Sequence, residues 1–157
     1  MRFISPTKGE MSLTEVVKDI IRYVSEELER TYKLIVGSDS QPHDGGTCFV
    51  SAIIIHRMGK GARYYYTRQV EEKMTSMRQR IFYEASLSLN LADQLCQCLK
   101  DNGKEDLKVE IHLDVGTHGA TREIIKEVIG MVVGSGFDAK IKPDACGASS
   151  VADKYTK

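Results

Sequence analysis

Two aspartates in this chain stand where a carboxylate can do chemistry. Asp39 follows the strand-forming run Lys33-Leu34-Ile35-Val36-Gly37-Ser38, and Asp114 follows Glu110-Ile111-His112-Leu113. An acid at the end of a strand, where connections diverge, faces the crevice in which open sheets bind ligands. If the two strands are neighbours, they lie about 5 Å apart. Carboxylates that close repel unless a proton or a cation lies between them. A hard divalent cation, bound by oxygen ligands, is the natural partner. Everything then depends on whether the elements bring the two acids together.

The first element is signalled by Ser12-Leu13-Thr14-Glu15, a capping box. Val16, Val17, Ile20, Ile21, Val24 and Leu28 follow at helical spacing and predict a helix over 13–30. Strands are expected over 32–39, 47–57 and 63–70, separated by His43-Asp44-Gly45-Gly46 and Gly59-Lys60-Gly61. Such short links imply an antiparallel meander. In the third strand, Tyr64, Tyr65 and Tyr66 alternate in direction, so at least one ring belongs in the core. A long helix is expected over 77–100, stopped by Asn102-Gly103. A strand over 107–114, a helix over 121–133, a strand over 138–142 closed by Pro143, and a helix over 148–155 complete the pattern.

Three meander strands followed by alternating helices and strands predict an α/β fold with a mixed five-stranded sheet. The long helix carries the chain past the first strand, so the fourth strand pairs parallel to it. The resulting order is 3-2-1-4-5, with strand 2 antiparallel. Strands one and four become neighbours, and Asp39 and Asp114 meet at the same edge. The 157 residues are expected to form a single domain, with 1–31 as an N-terminal helical extension and 32–157 as the core.

Two further acids are candidates. Met77, Ile81, Ala85, Ala92, Leu95 and Leu99 make the apolar stripe of the long helix, and Glu84 lies on its flank. An acid facing the sheet needs a partner. That partner is either a ligand at the site, or solvent, Arg80 or Arg63. Asp153, in Ser150-Val151-Ala152-Asp153, fits a variant capping box and so has a sufficient structural role. His118 follows Asp114 and could protonate a leaving group or hold a phosphate; as a loop residue beside Gly119 it needs no role at all. His43 reads as an exposed turn residue. Lys73, Arg78, Arg80, Arg122 and Lys126 form either a modest phosphate-contacting patch or solvated helix faces.

The order β-β-β-α-β-α-β-α, with acids on strands one and four, on the first core helix and on the last helix, resembles the ribonuclease H-like superfamily. Val36-Gly37-Ser38-Asp39-Ser40-Gln41, His112-Leu113-Asp114-Val115-Gly116 and Ser150-Val151-Ala152-Asp153 are most similar to the bacterial YkuK-type family of uncharacterised proteins. The resemblance covers roughly residues 32 to 157. It implies that Asp39 bridges two Mg²⁺ or Mn²⁺ ions, that Glu84 binds one of them, and that Asp114 and Asp153 complete the set. Such a pair, about 4 Å apart, activates a water and stabilises the leaving oxygen in phosphodiester cleavage.

Composition bounds the partners. The chain has 22 basic and 22 acidic residues and zero formal charge, so any nucleic-acid contact must be local rather than a global basic field. No stretch is apolar enough to span a bilayer, and the N-terminus lacks a signal-peptide pattern, which sets a cytoplasmic expectation. Cys48, Cys96, Cys98 and Cys146 contain no C-x-x-C pair and read as small buried side chains. The sequence therefore predicts a metal-dependent nuclease acting on RNA, DNA or a hybrid. A non-catalytic module that binds nucleic acid or a protein partner, and a metal-dependent phosphatase or nucleotide hydrolase, fit the same residues. Oligomeric state is not legible.

Overall fold

Ser12 is the N-cap of α1 (Leu13–Glu26) in the computed structural model. Its Oγ accepts from the Glu15 N–H at 3.2 Å, and Glu15 Oε1 accepts from the Ser12 N–H at 3.0 Å. The capping box thus satisfies two orphan donors. The helix is shorter than expected. The Tyr32 hydroxyl donates to the Glu27 carbonyl at 2.8 Å, and Arg57 holds the Glu27 carboxylate at 2.8 Å, so the chain turns there. Leu28, expected on the buried stripe, is 70% exposed. The structure describes residues 1–115, 122–141 and 147–156, without the side chains of 147–150 and of Asp153.

The sheet is built around β3 (Tyr32–His43), flanked by β4 (Gly46–Arg57) on one side and β6 (Val109–His112) on the other. With β5 (Ala62–Glu71) and β7 (Asp138–Lys140), these strands run in the order β5-β4-β3-β6-β7. That is the expected 3-2-1-4-5 order, with β4 antiparallel to both neighbours and β6 parallel to β3.

Two strands were not expected. β1 (Arg2–Ser5) and β2 (Gly9–Ser12) form a hairpin that adds to the free edge of β5, making seven strands rather than five. Ile4 lies opposite Tyr66 where β1 joins. The hairpin is held by its inward residues, since Phe3 and Met11 are buried in the same core as α1. Residues 1–31 are therefore partly sheet rather than a helical extension.

β3 also runs past Asp39, to a two-residue turn in which His43 faces Gly46. Gly46 has φ +145, and a Cβ there would lie 2.4 Å from the Glu71 carbonyl oxygen, so only glycine allows the turn to pack on β5. Asp39 consequently sits inside β3 rather than at its end. It does lie beyond the last parallel pair, Gly37 with His112.

The helices divide unequally between the faces. Val16, Val17 and Ile20 of α1, Leu91 and Leu95 of α2 (Met77–Asp101), and Ile125 and Val128 of α3 (Arg122–Gly134) share one core with Leu34, Val36, Ile53, Ile55 and Tyr65. The opposite face, with Ile35, Ile54, Cys48 and Val50, is packed by α4 (Gly147–Thr156) through Val151, Ala152 and Tyr155. Period-two alternation explains the split. Tyr65 points into the main core, and Tyr64 and Tyr66 point towards α4. No helix among the described residues is long and apolar enough to cross a membrane.

Candidate functional site

The site is set by a match between a strand and a helix. On β3, Ser38 and Ser40 point to the face covered by α2, two residues and about 6.6 Å apart. On α2, Glu84 and Ser88 share a face, four residues and about 6 Å apart. The two spacings nearly coincide, so the rungs align. Ser88 Oγ and Ser38 Oγ are hydrogen-bonded at 2.8 Å, and Ser38 Oγ reaches Ser51 Oγ of β4 at 2.8 Å. One turn earlier along α2, the Ser40 hydroxyl donates to Glu84 Oε2. This buried hydroxyl seam fixes Glu84 against the strand that carries Asp39.

Register brings in the second strand. Gly37 with His112 is the last parallel pair, and Asp39 and Asp114 each follow it by two residues, Asp39 still within β3 and Asp114 just past the end of β6. Asp39, Ser40, Met77, Arg80, Ile81, Glu84, Asp114 and Val115 line one cleft of about 240 Å³. Asp39 is buried at 9% exposure, and Glu84 and Asp114 are half-buried.

The electrostatics follow from that placement. Burial pushes the Glu84 carboxyl up to about 8. The Ser40 hydroxyl and the Arg80 charge oppose this, and the Asp39 and Asp114 charges add to it. Glu84 is half-buried and feels the Arg80 charge, but Arg63 is not its partner. Arg63 instead lies 3.3 Å from the buried Asp19.

Three of the expected acids are thus in one place. The fourth, Asp153, lies on α4, and its side chain is outside the described residues, as are His118 and Cys146. Among the described residues, no three His, Cys, Asp or Glu side chains stand close enough to hold an ion. The donor chemistry nevertheless fits the expected metal. Asp39, Glu84 and Asp114 offer only carboxylate oxygens, the ligands of hard divalent cations. A nearby cation would also offset the repulsion that helps to keep Glu84 protonated.

Several participants were missed or misweighed. Ser40 was legible only as part of a motif; its role depends on the α2 register. Arg80 lines the cleft, whereas Arg78 beside it is tied to Glu127 at 2.8 Å on the surface. His112 is buried on the α4 side of β6. Its Nε2 lies 3.2 Å from Glu110 Oε1, and its Nδ1 is buried without a hydrogen-bond partner among the described residues. Burial lowers its pKa, against the pull of Glu110. His43, expected to be a plain turn residue, places Nε2 2.9 Å from the Thr156 carbonyl oxygen at the end of α4.

This strand order, with acids on β3, after β6 and on α2, defines an α/β protein of the ribonuclease H-like class. The ribonuclease H-like family matches residues 15–157, and the chain belongs to it. The match begins within α1, so that helix is included and the hairpin before it is not. At the level of single proteins, the chain is similar to the uncharacterized protein YkuK of Bacillus subtilis (strain 168). The two are 31% identical over 166 aligned positions, spanning 99% of this chain and 96% of the relative.

Proposed function

We propose that the protein is a divalent-metal-dependent nuclease that hydrolyses phosphodiester bonds of RNA, DNA or a hybrid. The observation that carries this reading is the convergence of Asp39, Glu84 and Asp114 on one cleft, with Glu84 perturbed by the other two. Family membership supports the same direction. The residues that would hold Mg²⁺ or Mn²⁺ are Asp39, Glu84 and Asp114, with Asp153 of α4 as a fourth.

Bound cations of this kind supply Lewis acidity to a phosphodiester and make a nucleophilic water available at neutral pH. The chain's own residues prepare the cleft for them. Asp39 within β3 and Asp114 just after β6 bring two carboxylates to the same cleft, and their side chains would close in on a cation when it binds. Ser40 Oγ holds Glu84 Oε2 in place and fixes which oxygen remains to face the cleft. In the absence of a cation, the Glu84 carboxyl keeps its proton near neutral pH and limits the like-charge repulsion. Met77, Ile81 and Val115 give the cleft an apolar wall, which limits water around the acids.

The test is cleavage of a panel of RNA, DNA, hybrid and junction substrates with Mg²⁺ or Mn²⁺. Activity is expected on at least one substrate and is expected to be abolished by Asp39→Asn and by chelation. A panel showing no cleavage that depends on Asp39 removes the enzymatic reading and leaves a binding module on the same fold.

A further inference from the structure

The rungs that align α2 with β3 continue one step beyond Glu84. Ser88 meets Ser38 and Glu84 meets Ser40. Four residues earlier on α2 comes Arg80, and two residues later on β3 comes Pro42. Proline's side chain offers no hydrogen-bond acceptor. The ladder of side-chain bonds therefore stops at Arg80, and its Nε is buried without a partner among the described residues. Leaving a buried donor unpaired costs about 1–3 kcal/mol, more for a charged group. Arg80 also lines the carboxylate cleft, and no acidic residue occupies the first turn of α2 to complement that helix end.

We infer that Arg80 is the phosphate-holding residue of this cleft, receiving a non-bridging phosphate oxygen of a nucleic-acid strand beside Asp39, Glu84 and Asp114. This rests on the nuclease reading for its substrate class, but the contact itself requires no cleavage. A guanidinium presents its donors as a planar fork that matches two phosphate oxygens. A cleft lined by three acids otherwise repels a phosphodiester, so one cation in its lining has a clear electrostatic use. Arg78, two residues away, cannot substitute, because it is bound to Glu127 through both of its terminal nitrogens.

The experiment is equilibrium binding of a fluorescein-labelled single-stranded oligonucleotide, as RNA and as DNA, to the full chain in EDTA across a salt series. Chelation removes turnover, so affinity is read alone. Arg80→Gln is expected to weaken binding about tenfold, similarly for unrelated sequences. It should also flatten the slope of log K against log salt by roughly 0.7, the loss of one phosphate contact on a single strand. Arg80→Lys should restore most of the slope and part of the affinity. Arg78→Gln, which removes an equal charge from the same helix turn, should leave the slope unchanged.

Equal effects of Arg78→Gln and Arg80→Gln would reduce the result to bulk charge and overturn the assignment. An unchanged slope in Arg80→Gln, or no binding by the unmodified protein, overturns it as well. If the oligonucleotide binds in an Arg80-dependent way but is never cleaved with Mn²⁺, the nuclease reading fails and the phosphate contact stands.

Discussion

Glu84 shows how one residue's setting turns a sequence pattern into a measurable pH response. Burial raises its pKa from 4.5 to about 8 in the folded chain. Between those values the native state holds a proton that the unfolded chain releases. The unfolded state therefore binds fewer protons, and stability falls as pH rises through this window. The contribution is fully present below about 4.5 and is lost as pH passes about 8. For a group this buried, the change is on the order of a few kcal/mol. Urea denaturation of the metal-free protein is therefore expected to give a midpoint that declines from pH 5 to pH 8.5, and Glu84→Gln is expected to flatten the decline. Added Mn²⁺ should raise the midpoint more at pH 8.5 than at pH 5, because a cation competes with that proton. A midpoint with the same pH dependence in both proteins would remove Glu84 as its source. That Asp39, Asp114 and Glu84 line one cleft was legible from their places on the expected elements, although Asp39 lies inside β3 rather than at its end. The partners were not, because Ser40 and Arg80 acquire roles only once the helix runs antiparallel to the strand at matched spacing.

At the scale of elements, the terminal helix covers one face of the sheet and carries Asp153, the proposed fourth acid. Among the described residues, α4 packs on its face of the sheet through Val151, Ala152 and Tyr155. Tyr155 does much of the holding. Its ring stacks on Tyr66 at 3.8 Å between centroids with 13° between planes, and its hydroxyl meets that of Tyr64 at 2.7 Å. His43 meets the helix at its last turn. Tyr155→Phe keeps the stack and loses one hydrogen bond, a cost of about 1 kcal/mol. Tyr155→Ala loses both the stack and the buried ring surface, about 2–3 kcal/mol for a half-buried aromatic. Hydrogen exchange should show the loss concentrated at 147–156, with the β3–β4 ladder still protected in Tyr155→Ala. Uniform acceleration across the sheet would instead mean that α4 is part of the global folding unit. The helix itself was legible from its pattern, and the three tyrosines announced an alternating strand. What covers Tyr64 and Tyr66 was not, since the contact joins residues 91 positions apart.

For the molecule as a whole, the surprise is that the sheet begins at residue 2. The hairpin was invisible in the sequence for a physical reason: each of its strands has four residues, too few for alternation to stand out, and their partner is a distant edge. Its anchorage is chemical as well as apolar. Asp19 of α1 is buried, and Lys8, in the hairpin turn, reaches it at 2.6 Å, with Arg63 at 3.3 Å and the Tyr65 hydroxyl also donating. Burial works to raise the Asp19 pKa, but these partners outweigh it and hold it below the usual carboxylate range. The stability it contributes is present above the unfolded pKa and is lost as pH falls through the folded one. Deleting residues 1–12 removes Phe3 and Met11 from the core, each worth about 2–3 kcal/mol. It also strips Lys8 from a buried charge, and breaking a buried pair costs about 3–5 kcal/mol before Arg63 and Tyr65 compensate in part. The total is comparable to the 5–15 kcal/mol that holds a typical domain together. The deletion is thus expected to yield a chain that is largely unfolded or aggregated at 37 °C, although the matched family region from residue 15 onward is intact. Asp19→Asn in the full chain is expected to be milder, because Asn keeps a hydrogen-bond acceptor. It should also lose the part of the acid-induced destabilisation that comes from protonating Asp19. Circular dichroism and urea midpoints decide the matter: a 13–157 chain that folds with an unchanged midpoint would show the hairpin to be an ornament on a core already complete without it.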